Sequence, residues 1–359
     1  MSERAGAFVE RMWREQAGAA GRALSALLVP AELAFRGVST LRNAAFTRGM
    51  RAVERAPVPV ISVGNIAIGG AGKTPFSAFL AARLAMLGHS PALLHGGYAE
   101  DEPMLHRQWN PDVPVHVGRD RVASARAAAD EGATVLILDD GFQHRRLARD
   151  IDLVLVAAET WTSMPRLLPR GAWRESPSAL KRATAVIVTY RTPLDPAPVR
   201  SDVERIAGGV PVWLARMTPE RWTRPTGAAP DVARSQVERA RAEPRAGTGR
   251  DAAGPPERPA LLVAAVAQPE LFLAGARAAG AQIGDVLTFR DHHAYTRTDA
   301  AAIEQRASGR PVVTTAKDWV KLQGLLNADD VWLLEQDVVM TDGAEELDRL
   351  LSTLPVSHA

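Results

Sequence analysis

The chain has 359 residues but no cysteine, and only four of its 43 basic residues are lysine. Without cysteine there can be no disulfide framework, thiolate zinc site, iron–sulfur cluster or cysteine nucleophile, so a bound metal must take oxygen or imidazole ligands. Because lysine and arginine differ in shape and hydration, each lysine is a candidate for a specific role. The four are Lys73, Lys181, Lys317 and Lys321.

Long apolar runs are also missing near the N-terminus. The most apolar early stretch, residues 23–35, is interrupted by Pro30 and Glu32 and falls short of the ~18 residues that span a bilayer. Three glutamates within the first fifteen residues are unlike an export signal, so we expect the protein to stay inside the cell. Residues 1–50 instead predict a basic amphipathic helical segment, kinked at Pro30, that lies on a membrane surface. The alternative is a helix packed on its own domain with a solvated arginine face.

The remaining chain alternates short apolar runs with helical patterns, which indicates parallel sheets covered by helices. We predict an α/β fold of two α/β/α domains with mainly parallel sheets. The first domain spans 51–158 and contains the sequence GKT at 72–74, which is typical of a P-loop NTPase. The second spans 159–338, and a helix over 339–359 could return to the first domain. Six prolines within 217–258 predict a flexible insertion without its own core. Its mixed charges give no reason to expect nucleic-acid binding, and no feature indicates an obligate protein partner.

A glycine-rich turn follows the first apolar run. The segment GNIAIGGAGKTP, 64–75, ends in the GKT of a nucleotide-binding P-loop, although Ala67 stands where the strict pattern has glycine. Its strand before and helix after are the context in which backbone N–H groups converge on a phosphate. The predicted phosphate-binding residues are Gly69, Gly70, Ala71, Gly72, Lys73, Thr74 and Pro75, with Lys73 neutralising the β- and γ-phosphates.

An acidic pair follows a later apolar run. In TVLILDDGFQH, 134–144, the predicted strand delivers Asp139 and Asp140 to its C-terminal end, where an ion beside the P-loop needs oxygen ligands. We predict a Mg²⁺ site formed by Thr74, Asp139 and Asp140, and the alternative is a pair of solvated turn aspartates. The chain has no guanine-reading NKxD sequence, so the default nucleotide is ATP.

The P-loop segment and LDDGFQHRRLARDIDLVLV, 138–156, together resemble the tetraacyldisaccharide 4′-kinase family, the lipid A 4′-kinases. Four further segments match in the expected order, and the resemblance covers nearly everything except 217–258. They are LLPRGAWRES (167–176), LKRATAVIVT (180–189), FRDHHAYT (289–296) and TTAKDWVKL (314–322).

This resemblance implies ATP-dependent phosphorylation of the 4′-hydroxyl of an acylated glucosamine disaccharide 1-phosphate, giving lipid IVA. It also implies a peripheral enzyme on the cytoplasmic face of the inner membrane, with its active site in a cleft between two α/β domains. Asp101 and His292 match an aspartate and a histidine that deprotonate the acceptor hydroxyl together. Gln143, Arg174 and Glu175 fall on other active-site positions, which we interpret as substrate contacts.

The chain departs from the family pattern near the cleft. Gly96 stands where an arginine is usual, and Arg119 or Arg121 could supply the missing charge. Either histidine of the 292–293 pair could simply hold the turn at Tyr295.

Two functions compete with a lipid kinase. The first is a P-loop metallochaperone or partition-type NTPase, which would lack an acceptor site. The second is a non-catalytic nucleotide-binding regulator, which the presence of Lys73, Thr74 and the acidic pair argues against.

Overall fold

The protein is described by a computed structural model, which covers residues 8–9, 11–13, 15–97, 101–191, 194–225 and 254–355. Within these ranges the strands are β1 (Val60–Asn65), β2 (Pro91–His95), β3 (Val115–Val117), β4 (Val135–Asp139), β5 (Ile151–Ala157), β6 (Ala185–Tyr190), β7 (Val212–Thr223), β8 (Ala260–Ala264), β9 (Ile283–Thr288), β10 (Val312–Thr314) and β11 (Val331–Asp342). The helices are α1 (Gly18–Leu27), α2 (Val29–Thr47), α3 (Lys73–Met86), α4 (Asp101–Trp109), α5 (Arg121–Asp130), α6 (Ala197–Ala207), α7 (Pro269–Ala278), α8 (Arg297–Ala307), α9 (Ala316–Leu322) and α10 (Ala344–Leu351), with 3₁₀ turns at Ala158–Thr160, Pro177–Arg182 and Ala328–Asp330.

All the described strands join one sheet, in the order β3-β2-β4-β1-β5-β6-β7-β11-β10-β8-β9. Neighbouring strands are parallel except for β7 and β11, which are antiparallel. The prediction of an α/β fold with parallel strands is therefore confirmed, but the expectation of two separate sheets is wrong. The physical reason is the length of β7 and β11, whose twelve residues each pair across the middle of the molecule.

The strand β7 also changes the start of the predicted insertion. It continues to Thr223, and both Met217 and Trp222 are buried, so 217–223 is not a coreless loop. The sequence misleads here because Pro219 lies within the strand, opposite a shift in the register with β11 between Glu335 and Gln336. A proline is tolerated in a strand at such an irregularity. Most of the rest of the insertion, 226–253, lies outside the described residues.

The largest apolar cluster lies on one face of the first half of the sheet. It joins β1 and β5 to β6 and β7, and it includes α3 and the C-terminal leucines Leu347, Leu351 and Leu354. The helix α10 thus packs on the half of the sheet that holds β1 and α3, where Asp348 pairs with Arg83. A separate cluster surrounds β8 and β10. The domain boundary at residue 158 stays a prediction, since strands on both sides of it share the first core.

The N-terminal segment forms two helices because the chain bends by 50° between α1 and α2. The break lies beside Pro30, in the first turn of α2. Backbone N–H groups in the first turn have no partner within the helix, so a proline there costs no hydrogen bond. Inside α2, the buried Glu32 accepts from the Leu167 amide at 2.8 Å and from Arg170 at 3.0 Å. These contacts fix one side of the helix to the rest of the chain.

Replacing Leu347, which is fully buried, with alanine is expected to lower the free energy of unfolding by about 2–5 kcal/mol, because it leaves a cavity in the largest cluster. Urea unfolding followed by circular dichroism measures this loss. The matched control Leu41→Ala, at a side chain that is 72% exposed, should change it by less than about 0.5 kcal/mol. Equal effects of the two changes would show that α10 frays independently of the core.

Candidate active site

The phosphate loop connects β1 to α3. Gly72 has φ +81° and directly precedes the first helical residue, Lys73. Residues with a side chain rarely adopt this backbone conformation, and a Cβ at Gly72 would lie 2.8 Å from the Met217 Cε atom. The first backbone N–H groups of α3 have no partner within the helix and carry its positive dipole end. The strand, glycine turn and helix start are therefore present as expected, while phosphate binding by residues 69–75 stays a prediction.

Neighbouring segments hold this loop in place. The Ile68 amide donates to the Ala172 carbonyl at 2.7 Å. From β6, the Thr189 hydroxyl donates to the Ala71 carbonyl at 3.0 Å, and just beyond it Arg191 donates to the Gly70 carbonyl at 3.1 Å. Because Thr189 and Arg191 hold two of the loop carbonyls in place, the loop has a fixed backbone conformation.

The carboxylate of Asp140 faces two cations. Arg174 Nη1 lies 2.8 and 2.9 Å from its two oxygens, and Lys73 Nζ lies 3.6 Å from Oδ1. Burial opposes ionisation of this group, but the charges of Lys73 and Arg174 hold the pKa of Asp140 below its ordinary value. Asp140 also has φ +55°, an uncommon backbone conformation for a residue with a side chain.

The partner aspartate points elsewhere. Asp139 is 1% exposed, and its Oδ2 lies 2.9 Å from His106 Nε2 on α4. Burial again opposes ionisation, and the hydrogen bond with His106 holds the pKa of Asp139 below its ordinary value. The role of Asp139 as a metal ligand stays a prediction. No set of three carboxylate or imidazole groups converges on a metal position in the described part of the chain.

Of the three predicted substrate contacts, Arg174 lies beside Asp140 at the cavity, whereas Gln143 and Glu175 form a network behind it. Gln143 donates to the Asn65 carbonyl at 2.9 Å and to Glu175 at 3.1 Å. Glu175 is 4% exposed. It also accepts from Asn43 on α2 at 2.6 Å and from Arg182 at 2.9 Å. Their direct contact with substrate stays a prediction.

Asp101 and His292 meet although 191 residues separate them. His292 Nδ1 lies 3.0 and 3.1 Å from the two carboxylate oxygens of Asp101, which begins α4 and is 2% exposed. Burial works against ionisation of Asp101, but the hydrogen bond with His292 and the charges of Lys317 and Lys321 keep its pKa well below the ordinary range. The hydrogen bond with Asp101 in turn raises the pKa of His292.

The two adjacent histidines have different surroundings. His293 lies 3.1 Å from Asp299 and stacks on Phe289, with ring centroids 4.8 Å apart. His292 has φ +59° and turns to Asp101 instead. The residue that holds the turn at Tyr295 is therefore His293.

One cavity of about 540 Å³ connects these groups. Residues 69–75, Asp140 and Arg174 line it from the first half of the sheet, and Asp291, His292 and Lys317 line it from the second half. Its volume is in the range of sites for small ligands. Asp101, Asp139, Gln143 and Glu175 do not line it.

Comparison with known proteins decides the family. The sequence profile of the tetraacyldisaccharide-1-P 4′-kinase family, LpxK, matches residues 24–101 and 98–354. A tetraacyldisaccharide 4′-kinase of Anaeromyxobacter dehalogenans strain 2CP-C is 37% identical, over 95% of this chain and 93% of that protein. Another from Phenylobacterium zucineum is 33% identical, over 87% and 89%.

The chain belongs to the tetraacyldisaccharide-1-P 4′-kinase family. A crystal structure of LpxK from Aquifex aeolicus in complex with ATP superposes with a TM-score of 0.68 at 24% identity, covering 92% of this chain and 99% of that one. This likeness confirms the α/β fold.

Several cavity residues of this kinase-family member were missed by sequence reasoning. His95, next to the unusual Gly96, accepts from the Gly97 amide through Nδ1 at 3.1 Å and contacts Glu102 through Nε2 at 2.7 Å. Arg121 lines the cavity, as one of the two proposed substitutes for the usual arginine, whereas Arg119 is exposed and does not. The start of α7 adds Gln268, Leu271 and Phe272. Two signals in the sequence pointed toward Lys317: the scarcity of lysine and its place in the matching segment 314–322.

The buried His106 and Asp139 pair can be tested through stability. His106→Leu leaves the Asp139 carboxylate buried without a partner, so it is expected to lower the free energy of unfolding by about 3–5 kcal/mol. The double variant with Asp139→Leu should lose less than the sum of the two single losses, because no buried polar group is then left without its partner. Urea unfolding of all four proteins gives this coupling, and strictly additive losses would contradict the pairing.

Proposed function

We propose that this chain transfers the γ-phosphoryl group of ATP to the 4′-hydroxyl of tetraacyldisaccharide 1-phosphate, giving lipid IVA in lipid A biosynthesis. The observation that carries the proposal is that the phosphate loop and His292, which is paired with the buried Asp101, line the same cavity. A metallochaperone or partition-type NTPase needs the loop but has no use for a base on the opposite wall. Family membership supports the same reaction.

The donor side of the cavity is built for a triphosphate. Apart from the Ala71 amide, which donates to the Gly69 carbonyl, the amides of residues 69–74 would bind phosphate oxygens, with Lys73 placed as a counter-charge. Thr74 and Asp140 both line this wall, and a hydroxyl and a carboxylate are oxygen donors of the kind that Mg²⁺ prefers. These two residues would hold the ion, which would offset negative charge on the transferring group.

The acceptor side supplies the base. Because Asp101 is buried and His292 lines the cavity, the imidazole is the member of the pair that can meet a substrate hydroxyl. As the hydroxyl O–H bond breaks, its proton moves to His292, and the oxygen forms a bond to the γ-phosphorus while the bond to the β-phosphate oxygen breaks and ADP leaves. The Asp101 carboxylate stabilises the imidazolium. Positioning and charge neutralisation contribute more than the base in phosphoryl transfer.

The N-terminal helices would bring this site to a lipid surface. In α2, Leu33, Val38 and Leu41 are 60, 66 and 72% exposed, on the side away from the anchored Glu32. None of the described helices alone is long and apolar enough to cross a bilayer, although α1 and α2 together pass the same test despite their 50° bend. We place the protein peripherally on the cytoplasmic face of the inner membrane, with 1–50 as the contact and with 51–158 and 159–338 as the two functional domains.

Lys73→Ala is expected to lower phosphoryl transfer by at least about 100-fold, because the transferring group loses its nearest counter-charge. The measurement is radiolabelled γ-phosphate transfer from ATP to tetraacyldisaccharide 1-phosphate in detergent. Lys181→Ala, at an exposed lysine outside the cavity, is the matched control. Near-normal turnover of Lys73→Ala would remove Lys73 from this role, and ATP hydrolysis by the unaltered protein without a phosphorylated lipid would favour the NTPase alternative.

A triple change to serine at Leu33, Val38 and Leu41 should weaken binding to phospholipid vesicles by at least about tenfold, because it removes the apolar area that α2 could bury. Cosedimentation with vesicles containing anionic phospholipid measures this. Serine at Leu87, Val117 and Met164, which are also exposed, tests for a general loss of surface hydrophobicity. If both triple variants sediment like the unaltered protein, α2 is not the membrane contact.

A further inference from the structure

The helix α9 is held rigidly at its start. The Thr315 hydroxyl accepts from the Asp318 amide at 3.0 Å, which caps the helix. The Asp318 carboxylate is fully buried and accepts from the Ala265 amide at 3.1 Å and from the Tyr295 hydroxyl at 3.1 Å. These contacts tie α9 to β8 and to the loop after β9, so side chains on its first turns have fixed origins.

Two of the four lysines lie on this helix, one turn apart, and both face the catalytic pair. Lys321 Nζ lies 3.3 Å from Asp101 Oδ2 and does not contact the imidazole. Lys317 Nζ lies 3.0 Å from Asp291 Oδ1, 3.2 Å from His292 Nε2 and 3.9 Å from Asp101 Oδ2. An ammonium is a compact charge with three donors, and Lys317 therefore has one donor available for each neighbour.

These contacts define the tautomer of His292. Its Nδ1 faces both oxygens of the ionised Asp101, so Nδ1 carries a proton. Its Nε2 faces the ammonium of Lys317, which can only donate, so Nε2 is the acceptor. With Lys317 donating to Nε2 and Asp101 accepting from Nδ1, the ring would be neutral and would have its free electron pair on Nε2.

We infer that Lys317 is a positioning residue for the proposed kinase reaction, which holds His292 as the neutral Nε2 base until the acceptor hydroxyl arrives. The inference rests on the proposed function. The hydroxyl takes the place of the ammonium at Nε2 and gives its proton to that nitrogen. Lys317 stays bound to Asp291 through the step, and the imidazolium keeps its Nδ1–H bond to Asp101. No oxidant or further reactant is needed.

The charge of Lys317 also affects the pH range in which His292 can act as a base. The charged groups around His292 are Asp101 on α4, Asp291 on its own loop, and Lys317 and Lys321 on α9. The hydrogen bond with Asp101 raises the pKa of His292, while burial and the charge of Lys317 act against that rise. Removing the ammonium raises the proton affinity of the ring further, so His292 becomes protonated, and inactive as a base, at a higher pH.

The test uses Lys317→Met and Lys317→Arg in the full chain, with Lys181→Met as the matched control. Nitrogen-15 NMR of the histidine side chains, with His292 assigned by comparison with His292→Gln, follows its protonation from about pH 5 to about pH 9. The unaltered protein should show the Nδ1–H tautomer. In Lys317→Met the titration should move to higher pH, and in Lys317→Arg it should stay near that of the unaltered protein.

Kinetics supply the second measurement. Lys317→Met should lower kcat/KM for the lipid by about tenfold or more, should move the acidic limb of the pH profile to higher pH, and should leave KM for ATP within about twofold. Lys317→Arg should recover the pH profile but only part of the rate, because the guanidinium is larger and planar. Lys317→Gln provides a second neutral variant if Lys317→Met does not fold.

The two proposals fail in different ways. An unchanged titration of His292 in both neutral variants, or an Nε2–H tautomer in the unaltered protein, would overturn the role of Lys317, whatever the activity. An unaltered protein that shows the expected NMR behaviour but leaves the lipid unphosphorylated would overturn the proposed function instead.

Discussion

The antiparallel pairing of β7 with β11 is the contact on which the site depends. Met217 of β7 packs against Gly72 in the phosphate loop, while Glu335 and Gln336 of β11 line the cavity. The same ladder that closes the sheet therefore sets the distance between the nucleotide wall and the wall that carries His292. Because one strand supports the loop and its partner lines the space in front of it, the two halves cannot be placed independently. A single sheet makes the cleft a consequence of strand register.

In and around the cleft, three aspartates are each kept ionised by a different partner. Asp139 has His106, Asp140 has Lys73 and Arg174, and Asp101 has His292 with two lysines. Removing carboxylates from water is costly unless cations or donors compensate. The compensation differs in kind: a buried imidazole for Asp139, two partly exposed cations for Asp140, and an imidazole with two lysines for Asp101. The two adjacent aspartates therefore have different environments, although they are neighbours in the sequence.

The features predicted from sequence are those set by neighbours in the chain. A strand, a glycine turn and a helix in succession specify the phosphate loop, and an apolar run followed by Asp140 specifies a carboxylate at the same edge of the sheet. The meeting of Asp101 with His292 depends on α4 and α9 packing together, which no local pattern contains, and it came from the family resemblance. Likewise, the second half of β7 was assigned to the insertion because Pro219 is typical of a loop, and only the pairing with β11 identifies it as part of a strand. Which of His292 and His293 contacts Asp101 depends on the backbone conformation at His292, which the sequence does not reveal.

That backbone links strain to chemistry. Asp140 and His292 both have φ in the left-handed region, at +55° and +59°, a conformation that costs a residue with a side chain on the order of 1 kcal/mol. Each is held by a charged or hydrogen-bonded partner, Arg174 for Asp140 and Asp101 for His292. The ion pairs thus offset the backbone strain, and the strain directs the side chains toward their partners. Loss of one partner would therefore change both the orientation of the side chain and the stability of its charge.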